Sequence, residues 1–164
     1  MALIKNDDVI DDPFVDATAS DALPPSGPVI VSLEQWQAHR ADLLARNALL
    51  GVRLRSDQSP ELIAADLDHL SVVALEFPKF RDGRAYSYAR LLRERYGFAG
   101  EVRAVGDVLM EQLHFMIRTG FDAFDIQESE DPLAAFRAAS ADFSVWYQPT
   151  GDGRPTASQL RHRK

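Results

Sequence analysis

Cysteine is absent from the 164 residues of the chain. Its absence excludes disulfide bonds, thiol catalysis, iron–sulfur ligation by this chain and every zinc site that includes cysteine. The sequence also lacks an apolar run of about 18 residues, the length typical of a membrane-spanning helix. The acidic residues 1–12 contain no long apolar core of the kind that secretory signals carry. We therefore expect a cytoplasmic protein without a membrane segment.

Basic residues are in the minority, with 18 Lys and Arg against 25 Asp and Glu and a net charge of −7. This balance disfavours specific binding to nucleic acid, because such binding needs clustered positive charge. Dinucleotide, phosphate-loop and serine-elbow motifs are missing as well. The four histidines lack metal-ligand spacing, so no metal site is predicted. The sequence therefore indicates no particular cofactor and leaves open whether the chain is an enzyme.

Composition divides the chain into a core and two flanks. The hydrophobic fraction of 46% suffices for one domain with a buried core. We predict three regions: an acidic, proline-rich hairpin and linker over residues 1–28, a single α/β domain over residues 29–148, and a disordered basic tail over residues 149–164. The hairpin is expected around Asn6-Asp7, between two short apolar runs.

Between residues 29 and 143, strand-like and helix-like segments alternate five times. Ser32 with Gln35 forms a capping-box pattern, and Ser59-Pro60 has the signature of a second helix start. Five βα units with short connections predict right-handed crossovers and a mainly parallel sheet. Two architectures fit: an open doubly wound sheet, which we favour, and a partial β/α barrel. The barrel alternative rests on the alternating pattern of Glu101–Val105 and Phe121–Ile126.

The loop after the third strand of the α/β domain carries a candidate anion site. Lys79, Arg81 and Arg84 lie directly before a predicted helix, where free backbone N–H groups attract anions. Arg103 belongs to the next strand, and the carboxyl ends of parallel strands meet at one edge of a sheet. We therefore predict that these four cations share a rim. The alternative is a loop in which salt bridges to Asp82 neutralise the cations.

Three further side chains near this rim are candidates for chemistry. Glu76 and Asp107 are weak candidates for catalytic carboxylates, although Asp107 is more simply a helix N-cap. Tyr86 lies in the first turn of the predicted helix, where it could stack on a ligand ring.

The stretch Glu76–Gly106 resembles a proteobacterial family catalogued as a domain of unknown function, DUF934. The most specific part reads FPKFRDGRAYSYARLLR, and the resemblance covers about Val29–Tyr147. Members of this family are typically encoded beside assimilatory sulfite reductase and are often labelled oxidoreductases. The resemblance therefore implies a role in sulfite reduction, with the reductase or another sulfur-assimilation protein as the partner. A cationic rim suits sulfite or an adenylylated sulfate as an anionic ligand.

Three functions follow as hypotheses. The first is an accessory protein of sulfite reduction that binds an oxyanion or holds the reductase. The second is a stand-alone small-molecule enzyme in which Glu76, Arg103 and Asp107 work together on an anionic substrate. The third is an assembly module, because Val108–Ile117 is apolar nearly all round and predicts burial on two sides, as in a homodimer.

Overall fold

The computed structural model describes residues 2–126, 131–141 and 144–162. Within them the strands are β1 Ala2–Lys5, β2 Asp8–Ile10, β3 Val15–Asp16, β4 Val29–Ser32, β5 Leu50–Leu54, β6 Val72–Phe77, β7 Glu101–Gly106 and β8 Ala123–Ile126. The helices are α1 Leu33–Leu44, α2 Arg84–Arg90, α3 Leu113–Thr119, α4 Pro132–Ala141 and α5 Ala157–Arg161. Pro60–His69 forms a 3₁₀ helix, Leu91–Arg95 continues α2 as a π-helical turn, and Met110–Gln112 is a 3₁₀ turn before α3. The protein is thus of the α/β class.

The strands form one mostly parallel sheet in the order β2-β1-β8-β7-β6-β5-β4-β3. From β3 to β8 every neighbouring pair is parallel, whereas β1 runs antiparallel to both β2 and β8. Strands β3 to β8 follow one another in chain order without a reversal. Because right-handed crossovers that always advance in one direction leave their helices on one face, the sheet is singly wound. The favoured doubly wound prediction is wrong, since that architecture needs a switch point in the strand order.

The sheet is curled into a half-barrel. Its two edge strands, β2 and β3, are joined by the short connection from Ile10 to Val15. Five extended residue steps reach at most about 17 Å. Seven inter-strand spacings of about 4.8 Å, by contrast, give a path of about 34 Å along the sheet. The edges can therefore be joined only if the sheet bends strongly, which agrees with the partial-barrel alternative.

The two faces of the sheet have different chemistry. The face toward the helices is apolar and includes Val52, Leu54, Val73, Leu75 and Val102, all of which belong to the buried core. Because side chains alternate along a strand, the intervening residues lie on the opposite, concave face. The polar residues of the concave face include Arg53, Glu76, Glu101, Arg103 and Asp125, and the apolar residues beside them include Ile30, Val72, Ala74, Val105 and Ala123.

Local signals in the sequence correspond to local structure. The predicted hairpin is confirmed: β1 pairs with β2 around Asn6 and Asp7, whose positive φ angles of 50° and 65° fit a type I′ turn. The capping box is also confirmed, since the Ser32 hydroxyl accepts the Gln35 N–H and the Gln35 amide oxygen accepts the Ser32 N–H. The helix predicted after Ser59-Pro60 is present but has 3₁₀ geometry. Phe143, the predicted end of the last helix, lies outside the described residues.

Parts of both flanks contact the domain. Val15–Asp16, inside the predicted linker, pairs with β4. In the predicted basic tail, Asp152 forms a 2.9 Å ion pair with Arg118 of α3. The Arg118 guanidinium also lies 4.2 Å from the centre of the Trp146 ring. Arg118 is buried, so these contacts fasten residues 146–152 to α3.

Asp66 predicts a measurable pH dependence of stability. Its carboxylate accepts hydrogen bonds from Arg40 at 2.9 Å and from the buried Trp36 indole at 2.8 Å. The bond from Arg40, followed by the one from Trp36, lowers the pKa of Asp66 below its ordinary value of 3.8. A carboxylate with a lowered folded pKa stabilises the fold above its unfolded pKa and loses that contribution as the pH falls. We expect Asp66→Asn to cost about 1–2 kcal/mol at pH 7.

The difference should shrink below about pH 4, as the wild-type carboxylate itself becomes protonated. Urea unfolding of both proteins from pH 7 to pH 3 measures it. Asp68→Asn, an exposed carboxylate in the same 3₁₀ helix, is the control and should change little. A cost that is the same at pH 7 and pH 3 would contradict this role of the charge.

Candidate binding surface at the carboxyl end of the sheet

The loop between β6 and α2, residues 78–83, presents two exposed cations. Lys79 and Arg81 are exposed, and within the described part of the chain neither forms an ion pair. The backbone of the loop is anchored to the residue after β7, because the Asp107 carboxylate accepts the Phe80 N–H at 3.1 Å. The Lys79 carbonyl also accepts the Asp82 N–H at 2.9 Å. Two positive charges are thus held in place at the end of β6.

Arg84 is engaged differently from these two. It forms a 2.6 Å ion pair with Asp82 and donates to the Ser56 hydroxyl at 2.9 Å. The hydrogen bond from Arg84 is the largest cause that lowers the pKa of Asp82 far below its ordinary value. Arg84 therefore lies beside the loop cations but its charge is neutralised, as the salt-bridged alternative describes for this residue. Anion binding by Lys79 and Arg81 stays a prediction.

An apolar groove, the rim groove, borders the same loop. It has a volume of about 500 Å³ and is lined by Phe80, Tyr86, Glu111, Gln112, Phe115 and Thr119. Phe80 and Phe115 are 54% and 55% exposed, which is unusual for two neighbouring phenylalanines. The half-buried Tyr86 ring packs edge-on against Phe77 at 5.2 Å, and burial raises the pKa of its hydroxyl to about 12. Tyr86 thus forms part of an aromatic wall in its neutral state.

Arg103 does not join the rim. It lies three residues before the end of β7 and is only 4% exposed on the concave face. Its guanidinium forms ion pairs with Asp12 and Glu101, both at 2.6 Å, and lies 5.7 Å from the centre of the Phe14 ring. The structure therefore groups Lys79 and Arg81, places the paired Arg84 beside them, and separates Arg103 from all three.

The two candidate catalytic carboxylates are separated in the same way. Glu76 lies on the concave face and pairs with Arg53 at 3.2 Å. Asp107 holds the Phe80 N–H of the loop instead of capping the following helix, which begins only at Met110. The described contacts of Glu76, Asp107 and Arg103 include none between any two of them.

Phe80 and Phe115 are the residues that reasoning from the sequence missed. Phe80 was overlooked because the loop was interpreted through its cations. Phe115 was overlooked because it belongs to a segment whose apolar residues predicted burial on two sides. In α3 the neighbours of Phe115 are buried, whereas Phe115 itself points into the rim groove. The sequence did contain a signal for Phe115: the segment has more apolar residues than one buried helix face can hold, so one of them must lie on another face.

Membrane-spanning helices and clusters of metal-binding side chains are both absent from the described residues. No helix in that part of the chain is long and apolar enough to cross a membrane. Across the same residues no three His, Asp or Glu side chains are grouped so that they could hold a metal ion.

Fold and surface together define a class of protein: a singly wound α/β half-barrel with an aromatic groove and two exposed cations at the carboxyl end of its sheet. The chain belongs to the family described as "Bacterial protein of unknown function (DUF934)", whose pattern matches residues 51–157. The resemblance stated from FPKFRDGRAYSYARLLR is thereby confirmed, with the match beginning and ending later than Val29–Tyr147. A comparison with curated proteins finds no match.

Proposed function

We propose that the chain is a non-catalytic accessory protein of assimilatory sulfite reduction that binds the reductase through the rim groove. The observation that carries this proposal is the juxtaposition of exposed aromatic rings with exposed cations. Phe80 stands between Lys79 and Arg81 in the chain, and Phe115 of α3 completes the apolar wall beside them. The link to sulfite reduction rests on the family resemblance, and with it we expect a cytoplasmic location.

The chemistry of the groove favours a protein as the ligand. Apolar surface dominates its lining, and exposed apolar surface rimmed by charge is typical of protein contact sites. Aromatic anchors at the centre of such a site supply most of the binding free energy. The cations Lys79 and Arg81 select a partner that carries carboxylates near its own apolar anchor. We therefore propose an apolar, acidic surface segment of the reductase as the occupant.

The carboxylates support binding in preference to catalysis. Asp107 positions the loop through the Phe80 N–H, and Glu76 neutralises Arg53. Asp107 thus helps to shape the rim groove, whereas Glu76 is engaged by Arg53 on the concave face. A stand-alone enzyme would use them on a substrate, and turnover of a substrate by the purified chain alone would contradict the proposal.

The proposal predicts that the two exposed phenylalanines dominate binding. We expect Phe80→Ser with Phe115→Ser to weaken binding to the reductase at least about tenfold, because both anchors are lost. Isothermal titration of the purified reductase from the same bacterium measures the dissociation constant. Tyr147→Ser is the matched control, since Tyr147 is 86% exposed and lies outside the groove.

Charge reversal at Lys79 and Arg81 tests the contribution of the two exposed cations to binding. Lys79→Glu with Arg81→Glu should weaken binding and reduce its salt dependence, whereas Arg95→Glu, at an exposed arginine on the continuation of α2, should change neither. The proposal would be contradicted if the control variants weakened binding as much as the groove variants do. A complex of two copies through the groove would favour the homodimer, and sulfite binding without the reductase would favour an oxyanion site at Lys79 and Arg81.

A further inference from the structure

The concave face of the half-barrel carries two arginines in one row. Arg53 of β5 is paired in register with Ala74 of β6, and Ala74 is paired with Arg103 of β7. The two guanidinium groups therefore flank a small residue, and their strands are separated by two spacings of about 4.8 Å. Because the sheet is singly wound, the connecting helices pack on its other face. The arginine pair, Arg53 and Arg103, therefore lies on the face that these helices leave uncovered.

A segment of the chain itself occupies the arginine pair. Residues 11–16, the strap, run between the two edges of the sheet. Asp12 uses both carboxylate oxygens on Arg103, at 2.6 and 3.1 Å, and Asp16 forms a 3.3 Å ion pair with Arg53. Phe14 lies over Arg103 between them. The strap thus presents two carboxylates and one aromatic ring in the spacing Asp-x-Phe-x-Asp.

The side chains of the strap are more exposed than the arginines that they contact. Residues 11–13 are exposed and form no strand, and the side chains of Asp12 and Asp16 are 36% and 51% exposed. Only at Val15 does ladder pairing with β4 begin. In contrast, Arg103 belongs to β7 inside the sheet and is only 4% exposed. The carboxylate side of this interaction is therefore the more exposed one.

Charged groups outside the strap also contact the arginine pair. Arg103 also pairs with Glu101, which Lys5 shares, and Arg53 also pairs with Glu76. Burial raises the pKa of Asp125, which lies on the same face. The charged side chains that face the arginine pair are Lys5, Asp12, Asp16, Glu76, Glu101 and Asp125. Without Asp12 and Asp16 the arginines keep one carboxylate each, and an incoming carboxylate restores what the strap supplied.

We infer that the arginine pair is a binding site for an acidic, extended peptide segment of another protein, and that the strap is its tethered competitor. The occupant resembles the strap in chemistry: two carboxylates four residues apart with an aromatic residue between them. The two arginines supply forked donors for the carboxylates, which is the geometry that arginine forms best. This site lies on the concave face and is independent of the rim groove, so failure of one proposal leaves the other standing.

The experiment adds the strap sequence as a free peptide. The probe is IDDPFVDA, residues 10–17, and its control carries Asn in place of the two aspartates that bind arginine, Asp12 and Asp16, and keeps Asp11. We expect the variant Asp12→Asn with Asp16→Asn to bind the probe at least about tenfold more tightly than the wild type, because a tethered segment competes at an effective millimolar concentration. Adding Arg53→Gln to that variant should weaken binding again.

A second measurement uses the wild type and does not depend on the variant folding. The Val15 and Ala17 N–H groups donate to the carbonyls of Pro28 and Ile30, at 3.0 and 2.9 Å. Millimolar probe should accelerate hydrogen exchange in residues 11–17 severalfold and leave β6 unchanged. Unchanged exchange, equal binding of the control peptide, or equal affinity of wild type and variant would overturn the inference. Displacement by glutarate as effective as by the probe would also overturn it, because the occupant would then be a small dicarboxylate.

Discussion

Replacing Arg103 by methionine is expected to lower the free energy of unfolding by about 3 kcal/mol. Methionine retains much of the apolar stem but removes the guanidinium that pairs with Glu101 and Asp12. The side chain of Glu101 is only 5% exposed, so its carboxylate would remain buried with Lys5 alone as its partner. Breaking a buried ion pair costs far more than an exposed one, because the remaining charge cannot recover its hydration.

Urea unfolding at pH 7 measures this loss. The matched control is Arg40→Met, which also removes an arginine from an aspartate but at a side chain that is 49% exposed. We expect a much smaller loss for the control, because solvent screens its exposed guanidinium. Adding Glu101→Gln to the Arg103 variant should recover part of the stability, since the stranded charge is then gone. A loss below about 1 kcal/mol for Arg103→Met would show that water reaches this part of the concave face.

Gly106→Ala is expected to be at least as damaging, at about 3 kcal/mol. Gly106 ends β7 with φ +94°, a conformation that residues with a Cβ rarely adopt. A Cβ at this position would lie 2.5 Å from the Phe77 carbonyl oxygen. That oxygen accepts the Asp107 N–H at 2.7 Å, so it cannot retreat without opening the turn that holds the β6–α2 loop. Backbone strain and the clash therefore add together.

Gly97→Ala separates the two contributions. Gly97 also has a positive φ, of +63°, but a Cβ there meets nothing within 4 Å. It should cost only about 1 kcal/mol, the penalty of the conformation itself. Thermal or urea unfolding of both variants measures the difference. Equal losses at the two positions would show that the backbone around Phe77 adjusts to the added methyl group.

The parts of the fold that the sequence predicted are those that depend on neighbouring residues. The hairpin at Asn6-Asp7 and the capping box of Ser32 and Gln35 follow from interactions across two to three residues. Turn and cap chemistry is local, so it can be identified without knowledge of the fold. The α/β class followed from the alternation of such local elements.

The parts that it did not predict depend on contacts between distant residues. Arg103 looked like a rim residue because its strand ends at the rim, but its partner Asp12 comes 91 positions earlier in the chain. Nothing local to Arg103 indicates that an acidic segment crosses the concave face. The choice between a doubly wound sheet and a half-barrel likewise depends on strand order, which the pattern of elements leaves open. The rim groove escaped prediction because it joins Phe80 and Phe115 from separate units.

Pairing of the first strand with the last one has a consequence for synthesis of the protein. Leu3 of β1 is in register with Asp125 of β8, so the ribosome must add more than a hundred residues before the two can meet. Until then β1 and β2 have no docking edge, whereas β4 to β7 can already assemble as they emerge. The hairpin of β1 and β2 is therefore made before its partner strand and placed late. Closure of the sheet is accordingly a slow event that waits until β8 has left the ribosome.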